Sequence, residues 1–252
     1  MSAAKDQVVV LTGANSGIGL ALARALHAEG RRVACLDIAG DQLAGLRFIA
    51  CDVTVPAEVE AAIEAVVRDW GRIDVLVNNA CLAVFAPFDE RDLEATRREF
   101  EVNYFGYVNL IAAVLPHMKA QGGGVIHNVG STVGSTGFAG IYGYASTKGA
   151  IEALTRTLAI ELAPHGVVVS LVHPPLTRTP SAAPLGVPAQ FMADPADVGR
   201  KLARKIGSRR ALLTPGPAEA VGVFLARLIP GPMGAFLSSR AAAAARAAER
   251  QA

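Results

Sequence analysis

Tyr144 and Lys148 stand four residues apart in Tyr144-Ala-Ser-Thr-Lys148, a spacing that puts a phenol and an ammonium on one helix face. A cation beside a phenol favours phenolate, so such a pair can take and return a proton near neutral pH. Ser131 lies 13 residues earlier, just after a strand-like run, where its hydroxyl can hold the oxygen that exchanges that proton. Alone, a Tyr and a Lys at this spacing usually mark nothing more than a helix surface. Their company makes them a candidate site: a glycine-rich turn and a strand-end acid lie earlier in the chain. Tyr142 is set aside, since it lies two positions from Tyr144 and six from Lys148 and faces elsewhere.

The turn is Thr12-Gly-Ala-Asn-Ser-Gly-Ile-Gly19, placed between an apolar run and a helical segment. Glycine at 13, 17 and 19 permits a tight bend and close backbone approach to a pyrophosphate. The following helix start offers free N–H groups and a positive dipole end. Gly13, Asn15, Ser16, Gly17, Ile18 and Gly19 are therefore read as a phosphate cradle. Asp37 ends the next strand, about 20 residues on, where a carboxylate accepts hydrogen bonds from ribose hydroxyls and repels a 2′-phosphate. Ser16 and Ile38 stand where a basic residue would welcome that phosphate. The expected cofactor is NAD rather than NADP, and the positive nicotinamide adds to the pull toward phenolate at Tyr144.

These residues need elements to hold them. Apolar runs at 8–11, 32–36, 46–51, 73–77, 124–129 and 166–172 have strand length, with a seventh near 210–214. Helical segments fall at about 18–29, 56–70, 93–118 with a break, and 144–162, Pro56 suiting a first helical turn. Short, fully apolar strands alternating with helices predict an α/β chain: a doubly wound, three-layer, mostly parallel sheet of about seven strands. Ligands then bind beyond the carboxyl ends of the strands. Only 14 residues separate Asp37 from Asp52, so a loop replaces the usual helix there.

From Thr12 onward the chain resembles the short-chain dehydrogenase/reductase family, over about residues 5–215. Thr12–Gly19 matches its TGxxxGxG, Asp52-Val53 its adenine-contacting pair, and Asn78-Asn-Ala80 its NNAG segment, with Cys81 in place of the glycine. Asn103, Ser131, Tyr144 and Lys148 fall where that family places its catalytic tetrad. The resemblance implies a Rossmann fold and a dimer or tetramer built on the two long helices. It implies that Lys148 holds the nicotinamide ribose, that Asn103 anchors a water leading to Lys148, and that Asp52, Val53, Asn79 and Ala80 contact the cofactor. After the sixth strand, His173-Pro-Pro-Leu-Thr-Arg-Thr179 stands where the family has a Pro-Gly pair and then a Thr. Pro174, Thr177 and Thr179 are expected on the cofactor, and Pro175 removes a donor. His173 is expected to serve as a local backbone partner. The run 174–180 is also similar, over a short stretch, to ketosphingoid-base reductases.

The expected reaction is hydride transfer between NAD and an apolar secondary alcohol or its ketone. Apolar residues in 180–192 (Leu185, Val187, Phe191, Met192) read as a substrate lid. Residues 1–215 make one dinucleotide-binding and catalytic domain, and 216–252 a helical extension. Its stripe of Val221, Phe224, Leu225 and Leu228 is expected to pack on the domain, on a neighbouring subunit, or on a membrane surface with Arg227, Arg240 and Arg246 on the polar side. Two other readings stay open: an NADP-linked reductase of lipid or sterol ketones, and a non-catalytic NAD-binding regulator. The latter is expected to have lost the Tyr or the Lys, which this chain keeps.

Composition agrees. With 52% hydrophobic and 18% charged residues, 252 residues can bury one large core, and a net charge of +2 argues against nucleic acid. Cys35, Cys51 and Cys81 have no metal-ligand spacing, no metal is expected, and no run is long enough to span a membrane. The polar start at 1–7 lacks a secretory pattern, and a soluble, cytoplasmic protein is expected.

Overall fold

Val8 to Leu11 are wholly buried, because the strand they form is covered on both faces. In the computed structural model, which describes residues 6–249 with side chains to 243, seven strands pair in parallel. They are β1 (Val8–Thr12), β2 (Arg32–Asp37), β3 (Arg47–Ala50), β4 (Val75–Asn78), β5 (Gly124–Val129), β6 (Val167–Val172) and β7 (Leu212–Leu213), in the order β3-β2-β1-β4-β5-β6-β7. The order reverses between β1 and β4, and the crevice at that switch point opens above the glycine turn. This is the doubly wound Rossmann architecture.

The pleat divides the core. Val8 and Val10 point to one side with Ile63, Leu110 and Val114, and Val9 and Leu11 to the other with Leu22, Leu26 and Leu202. The first layer is carried by α2 (Pro56–Trp70), α4 (Gly106–Ala120) and α6 (Tyr142–Glu161), the second by α1 (Gly17–Ala28) and α7 (Pro195–Ala203). Truncating Leu26 or Ile63 to alanine is expected to cost about 2–5 kcal/mol, since both are fully enclosed. Residues 38–46 join β2 to β3 without a helix, as their spacing predicts.

The expected break near residue 100 proves to be a change of pitch. α3 (Leu93–Phe100) runs into a π-helical turn, Glu101–Phe105, and then into α4. Such bulges concentrate at functional sites, and this one carries Asn103. A second buried polar device ties the far strands. The Gly207 N–H donates to His127 Nε2 at 2.9 Å, which leaves Nδ1 to donate to Ser170 Oγ at 2.5 Å. Burial, with Arg31 adding to it, lowers the His127 pKa to about 3, so the ring is neutral.

The carboxyl end forms α8 (Pro217–Leu228) and α9 (Pro230–Glu249), both against the short α5 (Val133–Thr136). The stripe on α8 does not pack on its own domain. Val223 and Ala226 turn inward, while Val221, Phe224, Leu225 and Leu228 are 58%, 65%, 39% and 64% exposed. The helix is apolar nearly all round, so its periodicity did not single out the inner face. Residues 1–5, 250–252 and the side chain of Arg246 lie outside the described residues.

Candidate active site

The cradle is built from backbone. Gly13 and Gly17 adopt φ of +64° and +53°, a region that disfavours side chains, and a Cβ on Gly19 would lie 2.0 Å from the Gly13 carbonyl oxygen. α1 opens with no acidic side chain and no side-chain cap, so its first N–H groups face the crevice unclaimed. Thr12 Oγ1 accepts from the N–H groups of Asn79 and Ala80, and Asn79 Nδ2 donates back to Thr12 O and Gly13 O, each at 3.0 Å. Asn79 therefore braces the turn from β4. A pyrophosphate fits this cradle, because a Cβ at any of the three glycines would fill or strain it.

Asp37 accepts from the N–H of Asn15 at 2.9 Å and of Ile38 at 2.8 Å, which fixes its carboxylate at the crevice edge. Asn15 is not among the residues that line the cleft. Its amide is spent on Asp41 and on the Gln42 N–H, so it braces the 41–42 turn instead. Ser16, Ile18, Asp52, Val53, Ala80, Pro174, Thr177 and Thr179 all line the cleft with the glycines. The Asp52 carboxylate is also held by Thr54, and Thr177 Oγ1 donates to Pro175 O at 2.7 Å. Cys81 lines the cleft with no left-handed backbone, which is why a side chain is accommodated there.

Ser131, Tyr144 and Lys148 converge at the other end. Lys148 is buried, with Nζ 2.8 Å from Val129 O and 5.5 Å from the Tyr144 ring centroid. Burial pushes the Tyr144 phenol above its ordinary value, Cys81 adds to this, and a hydrogen bond with Ser131 works the other way. Burial likewise lowers the Lys148 ammonium. Desolvation thus opposes the phenolate form of Tyr144. Asn103 is fixed by its side chain: its Oδ1 accepts from the Leu82 N–H at 2.7 Å, and Nδ2 donates to Leu82 O and Thr147 Oγ1. Its side chain clamps the loop after β4 to α6. Tyr142 points away, onto Thr96 and beneath Arg91, as its spacing implies.

Two buried charge clusters escaped the sequence reading. Arg91 pairs with Glu99 behind the loop after β4, both bonding the Val84 backbone. Burial raises the Glu99 carboxyl, with the Val84 N–H and Arg91 opposing it. Glu152, one turn beyond Lys148, accepts from Ser135 and meets Arg156, Arg227 and His173. Burial works against its charge, yet His173, Arg227 and Ser135 bring its pKa to about 2. His173 is therefore a partner of a carboxylate 3.4 Å away, not of the backbone as expected. Glu152 lies 21 residues from His173 and 75 from Arg227, so those pairings leave no local pattern to read.

The cleft measures about 1560 Å³, more than the roughly 300–1,000 Å³ of a single-ligand pocket, so it has room for a dinucleotide and a second molecule. The cleft lining carries many apolar side chains: Phe138, Ile141, Leu185, Val187, Phe191, and from the last helices Val223, Met233 and Leu237. A phenol, a serine hydroxyl and an ammonium facing such a space can move a proton on and off an oxygen. Among the described residues, no group of three His, Cys, Asp or Glu side chains could hold a metal ion.

The family model for short chain dehydrogenases matches residues 7–187. The chain belongs to the short-chain dehydrogenase family. Members of this family are oxidoreductases that bind a nicotinamide dinucleotide, NAD or NADP. The short-chain reductase protein NovJ of Streptomyces niveus is 36% identical over 241 residues, covering 90% of this chain and 89% of that one. A 3-alpha-(or 20-beta)-hydroxysteroid dehydrogenase of Mycobacterium tuberculosis is 35% identical over 182 residues, 69% of this chain and 70% of its own. Among solved structures, the 3-ketoacyl-(acyl-carrier-protein) reductase from Brucella melitensis complexed with NADH superposes with a TM-score of 0.73 at 28% identity. That match covers 83% of this chain and 94% of the other. The last two helices of this short-chain dehydrogenase, which roof the cleft, lie beyond the segment matched by the family model.

Proposed function

We propose that this chain transfers hydride between NAD and an apolar secondary alcohol or its ketone, with Tyr144 as general acid and base. The observation that carries the reading is the Tyr144 phenol, beside the buried Lys148 and lining one cleft with Ser131 and an apolar wall. A nicotinamide held in the cleft supplies the hydride acceptor or donor. Ser131 holds the substrate oxygen. Tyr144 takes the alcohol proton in oxidation and returns one to the carbonyl oxygen in reduction. Lys148 orients the ribose and keeps positive charge near the phenol, and Asn103 fixes the spacing between its own helix and α6.

The choice of NAD rests on Asp37, a carboxylate at the ribose end, with Ser16 and Ile38 where a basic residue would balance a 2′-phosphate. The apolar wall supports an apolar substrate, and the similarity to a hydroxysteroid dehydrogenase supports a secondary hydroxyl on a hydrophobic body. Initial rates with NAD and with NADP, on a graded panel of secondary alcohols, test the reading. Turnover with NAD that rises with apolar size is the expected result. Preference for NADP, or turnover confined to polar alcohols, would overturn the finer assignment.

The exposed stripe on α8 supports a lipid-facing role for the carboxyl-terminal roof. No single helix among the described residues is long and apolar enough to cross a membrane. α8 and the first part of α9, bent by 117°, pass that test only together, which suits a pair lying in the interface with Arg240 at its edge. Exposed Phe105 and Ile160, beside α4 and on α6, support a homodimer through those helices.

A further inference from the structure

Lys148 lies between two phenol rings. Its Nζ is 5.5 Å from the ring centroid of Tyr144 and 5.3 Å from that of Tyr107. It donates to Val129 O at 2.8 Å and to Tyr107 Oη at 3.4 Å, and Tyr107 Oη donates to the same carbonyl at 3.3 Å. Tyr107 is fully buried on α4, four residues beyond Asn103 and so on the same helix face. The Asn103 side chain is committed to Leu82 and Thr147. The hydroxyl that touches the ammonium is that of Tyr107.

We propose that Tyr107 is a positioning residue of the proton-transfer site, holding the Lys148 ammonium charged and aimed between the two rings so that it acts on Tyr144. The inference rests on the reading of Tyr144 as the acid and base. A buried ammonium with few acceptors gives up its proton easily, and burial already favours its neutral form. Two features of Tyr107 oppose this: an oxygen lone pair that accepts an N–H, and a ring face that attracts a cation. Burial holds the Tyr107 phenol in its neutral form, so its own proton serves Val129 while the lone pair serves Lys148. The longer of these contacts are of the kind that shorten once cofactor and substrate are bound.

Other ionisable groups face the pair from each packed element, and none duplicates this contact. Cys81 comes from the loop after β4, and Glu99 from α3 with its partner Arg91. Glu152 lies a turn further along α6 and is satisfied by His173, Ser135, Arg156 and Arg227. An ordinary packing role for Tyr107 predicts a loss of stability when it is changed, and nothing specific to proton transfer.

The test compares kcat and kcat/KM for alcohol oxidation across neutral and alkaline pH in the unmutated chain, Tyr107→Phe and Tyr107→Leu. Phe keeps the ring and loses the hydroxyl, and Leu loses both. The expected result is a stepwise rise in the apparent pKa of the base, by about half a unit for Phe and about one unit for Leu. NADH affinity should stay near that of the unmutated chain. A uniform fall in kcat with no movement of the pH profile in either variant would overturn the proposal. A second measurement needs no variant: in the NADH complex of the unmutated chain, nuclear Overhauser contacts should link the Lys148 side-chain end to the ring protons of both Tyr107 and Tyr144. Absence of the Tyr107 contact would overturn the proposal even where both variants fail to fold. If the unmutated chain oxidises no alcohol, the Tyr144 reading falls, and the nuclear Overhauser result still decides the placement of Lys148.

Discussion

At the scale of single residues, Tyr144 carries the account, and its surroundings make the proton step directional. Burial favours the neutral phenol, so at neutral pH Tyr144 is set as an acid, ready to protonate the oxygen of a ketone. Ketone reduction should hold its rate through neutral pH and fall only in alkali, whereas alcohol oxidation should climb as pH rises. Initial rates in both directions across the pH range check the sign, and identical profiles would count against it. Tyr144→Phe should lower turnover about 10²–10⁴-fold while NADH binding, followed by nicotinamide fluorescence, stays nearly intact. At the other end of the cleft, Asp37→Arg removes the repulsion and adds a phosphate partner. The ratio of kcat/KM for NADP over NAD should rise roughly tenfold to a hundredfold, as expected for one charge-assisted contact.

Among the elements, the strands and their loops were legible because their signals are local. β5 matches its apolar run end for end, and Pro56 opens α2 as predicted, because each rests on residues close in sequence. Tyr144, Lys148 and Ser131 were legible for the same reason, a fixed spacing around one strand and one helix. What stayed hidden depends on contacts across the fold. The π turn that turns Asn103 toward Leu82 and the Glu152–His173 cluster have no periodic signature. The His127 bridge is another such contact, and it makes stability depend on pH. The folded-state pKa of about 3 lies below the ordinary 6.5, so the unfolded chain binds the proton first as pH falls. The contribution is complete above pH 6.5 and declines below it, by up to about 1.4 kcal/mol per pH unit. Denaturant midpoints measured at descending pH should fall more steeply in the unmutated chain than in His127→Gln.

For the whole molecule, the carboxyl-terminal helices join two surfaces. The inner face of α8 closes the apolar cleft through Val223 and Ala226, and the outer face offers Val221, Phe224 and Leu228 to the surroundings. A substrate held in lipid could then pass into the cleft beneath the same helix. Binding to vesicles containing anionic lipid, measured by co-sedimentation, should be lost in the triple variant Val221→Asp, Phe224→Asp, Leu228→Asp. Turnover of a small water-soluble alcohol should be unchanged, since none of the three lines the cleft. Equal vesicle binding by both chains would remove the lipid role.

The central claim is that Tyr144 moves the proton while hydride passes between NAD and an apolar secondary alcohol. The most direct measurement follows reduction of NAD by a size-graded series of secondary alcohols, run side by side with the unmutated chain and Tyr144→Phe. The account predicts turnover that rises with apolar size in the first and is lost in the second. Equal turnover in both, or none in the unmutated chain despite tight NADH binding, would contradict it.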